Sequence, residues 1–362
     1  MPNPKRRHSK ARRDRLELSR VDIHHRIALD VMGGDHAPHA TLLGAREALE
    51  AWPGLQLFLV GNEGVIRPLL AKYGFTPELL ARAEVVHAFH TVVMEDKATC
   101  ILKEKKDSSI RVAAQLVREG RAHGVVSMGH TGAAMVASSL VIGKLEGVDR
   151  PALASVLPNM KGTPTVLLDV GANVDSRAEH IAQFAVMGSV YAEEVLGLER
   201  PRVGILSVGE EDGKGTDVTK DASAMLRQMD IRFEGNAEGR DIWNGNFDVI
   251  ACDGFVGNVV LKSSEALAEG IISGLRESFM QSALTKFAGL LAKPAMKSFK
   301  KKLDYSEYGG APLLGVKGVS IIGHGRSDAK AVRNAIRAAL RAAEHRLHER
   351  IQERVALLLP QD

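Results

Sequence analysis

Short apolar runs that each end in a glycine-bearing polar turn, alternating with segments of helical period, constrain this chain more than any single motif does. Residues 26–32 (RIALDVM) read as a strand stopped by Gly33-Gly34, because a continuous apolar run bounded by turn residues fits a strand covered on both faces. Residues 40–52 have helical spacing and 55–60 form a second apolar run closed by Gly61; strand 84–89, helix 108–119, strand 124–128 and helix 131–143 follow. Beyond Arg150-Pro151 come strands near 152–157 and 164–170. A helix over 177–197 then carries the stripe Ile181, Phe184, Gly188, Tyr191, Val195, followed by strand 202–208, helix 217–228, strand 247–252 and helix 256–278. This alternation predicts an α/β/α sandwich, a mostly parallel sheet with helices on both faces.

Two regions depart from the pattern. Residues 276–303 read as a protruding helical hairpin bent at Pro294. From Ser327 to Leu359, Val332, Ile336, Leu340, Ala343, Leu347, Ile351 and Val355 share one helical face, which predicts one long helix. The expected organisation is a disordered basic tail (1–25), one α/β domain (26–346) and the end of the C-terminal helix (347–362).

The sequence pI near 9.0 suggests a nucleic-acid binder, but the basic charge is local. Residues 1–20 carry Lys5, Arg6, Arg7, Lys10, Arg12, Arg13, Arg15 and Arg20 against Asp14 and Glu17, a formal +6, so the whole-chain +4 leaves −2 for the remainder. A near-neutral body with 4% aromatic residues argues against a nucleic-acid partner. The tail lacks the apolar core of a secretory signal, and no apolar run reaches the ~20 residues that span a bilayer. Two cysteines, Cys100 and Cys252, give no disulfide framework and fit a reducing compartment. The expectation is a cytoplasmic protein.

In a parallel α/β sheet, ligands bind beyond the carboxyl ends of the strands. Five polar turns fall there: Gly33-Gly34-Asp35-His36, Gly129-His130-Thr131-Gly132, Gly171-Ala172-Asn173, residues 209–216 (GEEDGKGT) and residues 253–258 (DGFVGN). Glycines let backbone N–H groups approach an anion, so five such turns on one sheet edge predict a phosphate-sized pocket. Residues 209–216 fall one residue short of a P-loop, and Gly215 stands where Ser or Thr is required. No dinucleotide fingerprint follows the first strand, so no cofactor is expected. His36 and His39 lack a third ligand at zinc-like spacing, and no metal is expected. Cys252 reads either as a thiolate nucleophile or as a packed strand residue.

The run 27–38 (IALDVMGGDHAP) closely resembles the opening of the acyl-acyl carrier protein:phosphate acyltransferases, the PlsX family. The likeness continues through Lys106-Asp107-Ser108-Ser109, Asp169-Val170-Gly171-Ala172-Asn173, residues 252–258 (CDGFVGN), residues 309–315 (GGAPLLG) and Gly323-His324-Gly325-Arg326-Ser327. The motifs span about 26–343. Ser127-Met128-Gly129-His130-Thr131-Gly132 stands where the family pattern has Ser-Ala-Gly-Asn-Thr-Gly, and Lys214-Gly215-Thr216 where it has Lys-Gly-Asn. The resemblance implies the α/β/α fold shared with phosphotransacetylases and isopropylmalate dehydrogenases, a homodimer, and transfer of a fatty acyl group from acyl carrier protein to inorganic phosphate. The acyl phosphate then passes to a membrane-embedded glycerol-phosphate acyltransferase. A phosphotransacetylase acting on short acyl-CoA is the alternative.

Phosphate is its own nucleophile in such a reaction, so the protein must supply positioning and oxyanion donors. Under the resemblance, Gly129, His130, Thr131, Gly132 and Asn173 bind phosphate or the oxyanion, with Lys214 or Lys97 adding positive charge. Asn258 is a catalytic donor, and Asp253 orients a donor or manages the thiol proton; Asp253 reads equally as a helix cap. Lys103, Lys105, Lys106 and Arg111 form a basic cluster suited to an acidic carrier protein. Within 279–303, Phe287 and Leu291 belong to an apolar stripe beside lysines, which reads as a peripheral membrane contact or as the dimer seam.

Overall fold

The computed structural model describes residues 25–303 and 309–357, with 297–303 as backbone. Residues 1–24 of the expected disordered tail (1–25) and the chain's last residues, 358–362, lie outside the described residues. The strands are β1 (Arg26–Asp30), β2 (Gln56–Gly61), β3 (Ala83–His87), β4 (Gly124–Ser127), β5 (Ala152–Pro158), β6 (Pro164–Leu168), β7 (Val203–Leu206), β8 (Phe233–Ala237), β9 (Val249–Ala251), β10 (Ala311–Leu314) and β11 (Val319–Ile322). The helices are α1 (His39–Ala51), α2 (Glu63–Lys72), α3 (Pro77–Leu80), α4 (Cys100–Lys103), α5 (Ser109–Arg118) and α6 (Thr131–Val136, widening into a π turn at Ala137–Ile142). They continue as α7 (Ala178–Glu194), α8 (Asp217–Leu226), α9 (Asp241–Asn244), α10 (Gly254–Met280), α11 (Ala283–Leu303), α12 (Ala329–Glu344) and α13 (Leu347–Ala356).

One sheet runs in the order β3-β2-β1-β4-β11-β10-β5-β6-β9-β7-β8. Ile27, Ala28 and Leu29 at its centre are fully buried, as a strand covered on both faces requires. Ile27 and Leu29 lie in the core layer that holds α1, α7, α12 and α13, whereas Ala28 faces the layer holding α5 and α6. Close packing of α1 and α12 depends on Gly44: a Cβ there would lie 2.6 Å from the Ala329 carbonyl oxygen and the Val332 Cβ. Helix α7 is buried almost all round because α8 and α13 cover the side turned away from the sheet.

The sheet corrects the expectation of five turns on one edge. β3, β2, β1, β4 and β11 are mutually parallel, and so are β6, β9, β7 and β8. Between them β11–β10, β10–β5 and β5–β6 are all antiparallel. Three reversals leave the two halves running in opposite senses, so their carboxyl ends leave the sheet on opposite edges.

Two helical expectations also change. The long C-terminal helix is two helices, because Arg346 adopts a left-handed conformation (φ 51°) that no helix continues through. Its apolar stripe is nevertheless buried on both sides of the break, from Val332 to Val355. The protruding hairpin consists of α10 and α11 and turns at Gln281-Ser282, where Ser282 and Thr285 cap each other's backbone; Pro294 lies inside α11.

Candidate active site

The carboxyl ends of β6, β9 and β7 are adjacent and bring together three of the five turns. Asp169, which follows β6, is fully buried, and its carboxylate gathers the next turn around itself. Oδ1 accepts from the backbone N–H groups of Leu153 (3.0 Å), Gly171 (3.2 Å) and Ala172 (3.0 Å); Oδ2 accepts from Asn173 N (2.7 Å) and Nδ2 (2.8 Å). Burial raises this carboxyl above its ordinary range, and those donors pull the other way. Asn173 is thereby locked, its Nδ2 also donating to the Pro151 carbonyl at 2.8 Å. It is a fixed strut as well as a polar wall.

Helix α10 starts on this turn. Gly254 N donates to the Asn173 carbonyl at 2.8 Å, and Asp253 Oδ1 accepts from Val256 N at 2.9 Å. Asp253 is thus the helix cap, with its second oxygen left for other work. Asn258 lies over Gly171, 3.5 Å from where a Cβ on that glycine would stand, and is exposed. Cys252 is not a nucleophile in this setting: burial lifts its thiol well above the ordinary range, and Sγ donates to the Asp169 carbonyl at 3.4 Å. Lys214 is exposed in the neighbouring turn after β7.

The other half brings together the turns after β1, β4 and β11. Gly33 packs against Gly129, and Asp35 N donates to the Gly325 carbonyl at 2.8 Å. His130 caps α6: Nδ1 accepts from Ala133 N at 3.2 Å while Nε2–H donates to the Asp96 carbonyl at 3.1 Å. Both ring nitrogens are used, which explains how histidine serves where the family pattern has another capping residue, asparagine. Thr131 is exposed at the first turn of α6, and Gly132 packs against Ala98, beside exposed Lys97. Beneath these turns Asp30 is buried; its Oδ2 accepts from Ser127 Oγ at 2.7 Å, and Oδ1 has no hydrogen-bond partner among the described residues.

The two groups are joined by one helix. α10 leaves the Asp169 turn, and fifteen residues on, about 22 Å along its axis, Glu269 accepts from Arg326 at 3.1 Å in the loop after β11. Among the described residues, no set of three His, Cys, Asp or Glu side chains is placed to hold a metal ion. An open cavity of about 1170 Å³, lined by Glu193, Arg200, Met229, Arg232 and Arg354, lies at the amino ends of β7 and β8, on the sheet edge opposite the turns after β6, β9 and β7.

The family model described as fatty acid synthesis protein matches residues 25–350. A phosphate acyltransferase from Geobacter sulfurreducens is 49% identical over 309 residues, 85% of this chain and 88% of that protein. One from Aquifex aeolicus is 49% identical over 313 residues, 85% and 90% of the two chains. The chain belongs to the phosphate acyltransferase family. Its fold is that of solved phosphotransacetylases: those of Streptococcus pyogenes (TM-score 0.61, 16% identity, 92% and 98% of the chains) and Staphylococcus aureus (TM-score 0.62, 14% identity, 92% and 97%) superpose on it.

In this phosphate acyltransferase the sequence-derived residues fall into the two groups. Asn173, Asp253, Asn258 and Lys214 share one; Gly129, His130, Thr131, Gly132 and Lys97 share the other. Lys103 and Lys106 are exposed beside the second group, and Arg111 donates to the Lys106 carbonyl at 3.0 Å. Lys105 is committed elsewhere: it pairs with Asp96 at 2.6 Å and donates to the Thr91 carbonyl at 2.9 Å. Asp169 and Asp30 were not singled out from sequence. Each closes an apolar strand two or three residues before a glycine, a position where a carboxylate can accept from the turn's N–H groups.

Proposed function

We propose that this phosphate acyltransferase moves a fatty acyl group from its thioester on acyl carrier protein to inorganic phosphate. A phosphate oxygen adds to the carbonyl carbon, the tetrahedral oxyanion collapses, and the carbon–sulfur bond breaks. The products are acyl phosphate and the carrier's thiolate, which takes a proton. A thiol of pKa ~8.5 departs without a strong acid. One observation carries this reading. Among the described residues the two groups of turns leave Asn258, Thr131, Lys97 and Lys214 exposed, while the cysteine beside them is buried with its thiol bonded to the Asp169 carbonyl. A site built this way stabilises an attack it does not itself deliver.

In this reading Asn258 donates to the oxyanion and Asp253 uses its free oxygen to orient a donor or manage the thiol proton. Gly129, His130, Thr131 and Gly132, with Lys97, hold phosphate on one edge; Lys214 adds positive charge beside Asn258 on the other, where Asn173, its amide committed to Asp169 and Pro151, props the turn. Leu284, Phe287 and Leu291 on α11 are 60–78% exposed beside Lys286 and Lys293. That face supports peripheral attachment to an anionic membrane, with the base of the hairpin pairing in a homodimer. Release at the membrane would hand acyl phosphate to a membrane-embedded glycerol-phosphate acyltransferase. No helix among the described residues is long and apolar enough to cross a membrane.

The test is to supply purified protein with phosphate and an acyl-carrier-protein thioester, and to trap acyl phosphate with hydroxylamine. Long-chain hydroxamate from the carrier-borne thioester supports the proposal. Preference for a short acyl-CoA would favour the phosphotransacetylase reading, which the shared fold keeps in view.

A further inference from the structure

The loop between β3 and α4 combines a fixed backbone with outward-facing apolar side chains. Asp96 Oδ2 accepts from Val93 N at 2.8 Å and from Lys105 Nζ at 2.6 Å, and Asp96 N returns a bond to the Val93 carbonyl at 3.1 Å. Lys105 also holds the Thr91 carbonyl, while Phe89 N and His90 N donate to the Asp107 carbonyl and the His90 ring bonds the Asp107 carboxylate. Despite this bracing, Phe89, Val93 and Met94 are 72%, 49% and 62% exposed. Scattered apolar side chains on a surface need no explanation. Three within six residues of a braced loop are different, because a preformed platform loses little entropy on binding.

The rim is cationic. Between residues 89 and 111 the acids are Glu95, Asp96, Glu104 and Asp107. Asp96 is paired with Lys105, and Asp107 is bonded to His90. That leaves Lys97, Lys103, Lys106 and Arg111 facing only Glu95 and Glu104. The loop also leans on the candidate site: Asp96 bonds His130 and Ala98 touches Gly132. A partner seated on it would stand next to the turn that opens α6.

We propose that Phe89, Val93 and Met94, rimmed by Lys103, Lys106 and Arg111, form the docking platform for the acidic carrier protein that delivers the acyl thioester. This rests on the acyl-transfer reading above and adds the apolar centre of the contact. Lys105 drops out of the docking set as an internal brace. The charges speed encounter and lose effect with salt, whereas the apolar centre sets residence time.

The experiment compares wild type with a Phe89→Ser/Met94→Ser double variant on two donors, acyl carrier protein thioester and the matching acyl-pantetheine thioester, which has no protein surface. The expected result is a fall of about tenfold or more in kcat/KM on the carrier-borne donor, carried by KM. Turnover of acyl-pantetheine and the unfolding midpoint should stay at wild-type values. Equal losses on both donors, or no loss on either, overturn the platform. A change in oligomeric state of the double variant also overturns it and assigns the face to a second copy of the chain. If wild type makes no acyl phosphate from either donor, the failure lies with the acyl-transfer reading on which the platform rests.

Discussion

Gly257 is where the first turn of α10 meets the Asp169 turn, and substituting alanine there tests how tightly the site depends on that contact. A Cβ at this position would overlap the Asp169 carbonyl oxygen and stand 2.9 Å from both its carbon and Cys252 Sγ. Two of these three atoms are backbone, so no side-chain rotation relieves the overlap. Alanine gains about 1 kcal/mol over glycine in a helix interior. Overpacking a tight contact costs about 1–3 kcal/mol, with backbone partners at the upper end. The net expectation is a destabilisation of about 2 kcal/mol. The same helix provides the control: Gly270 and Gly274 face open space, so alanine at either should stabilise by about 1 kcal/mol. One chemical change on one helix should therefore have opposite signs at its two ends, read as urea unfolding midpoints. Shifting the first turn also displaces Asn258, and a misplacement near 1 Å lowers turnover by about 10²-fold. Wild-type stability together with wild-type kcat in Gly257→Ala would refute the argument.

Asn258→Ala should lower kcat by about 10²-fold, as removal of one oxyanion donor does, with little change in unfolding free energy because its side chain is exposed. Asp253→Ala should cost about 1 kcal/mol of stability through the lost cap and lower kcat by more than that cost explains; unchanged kcat in both variants would move the chemistry to the other group of turns. Burial lowers the proton affinity of His123, His180 and His348 below the ordinary 6.5. Unfolding frees these side chains to bind protons, so their contribution is fully present above about pH 6.5 and is lost as pH falls through their depressed folded values. Denaturation midpoints should therefore fall on mild acidification, and His123→Gln should flatten that fall. A Phe287→Asp/Leu291→Asp variant should no longer sediment with anionic vesicles while keeping its oligomeric state and its activity on soluble donor; dissociation into monomers would assign the stripe to the dimer seam.

The sequence made some of this architecture legible and hid the rest for physical reasons. β1 was readable because its residues are apolar without interruption, and α7 because its stripe keeps the helical period. β8 (FEGNA) escaped notice because its residues are not strand-like, and β10 (APLL) because a proline inside a run demotes it; β11 (VSII) also went unread. With β10 missing from the pattern, two of the three antiparallel steps were invisible, and five turns were assigned to one edge. The break between α12 and α13 has no glycine to announce it, since Arg346 itself takes the left-handed conformation. Pro294 drew the hairpin's bend because proline is the strongest breaker signal, yet the chain turns at Gln281-Ser282. At the site, the turns and asparagines were legible as residue types. Their division into two groups was not, because it depends on strand direction.

That division bears on how a two-substrate reaction is held together. Attack requires the reacting atoms to meet at ~3–3.5 Å, yet the polar turns leave opposite edges of the sheet. Both edges belong to one continuous sheet, and α10 runs from one group of turns to the other. Its first turn is fastened to the Asp169 turn by Gly254 and by the glycine contact at Gly257, and its Glu269 reaches Arg326 beside the Gly33–Gly129 contact. The Glu269–Arg326 pair is exposed and contributes little to stability, so its value lies in registering the middle of the helix against the other group of turns. Beyond its first turn α10 is largely exposed along its length. The element that spans the two halves of the site is therefore held at its first turn and near its middle rather than buried along its side. Its placement can respond to whatever packs on the hairpin, and this links the hairpin's proposed partners, a second subunit and a membrane surface, to the geometry in which phosphate meets the thioester.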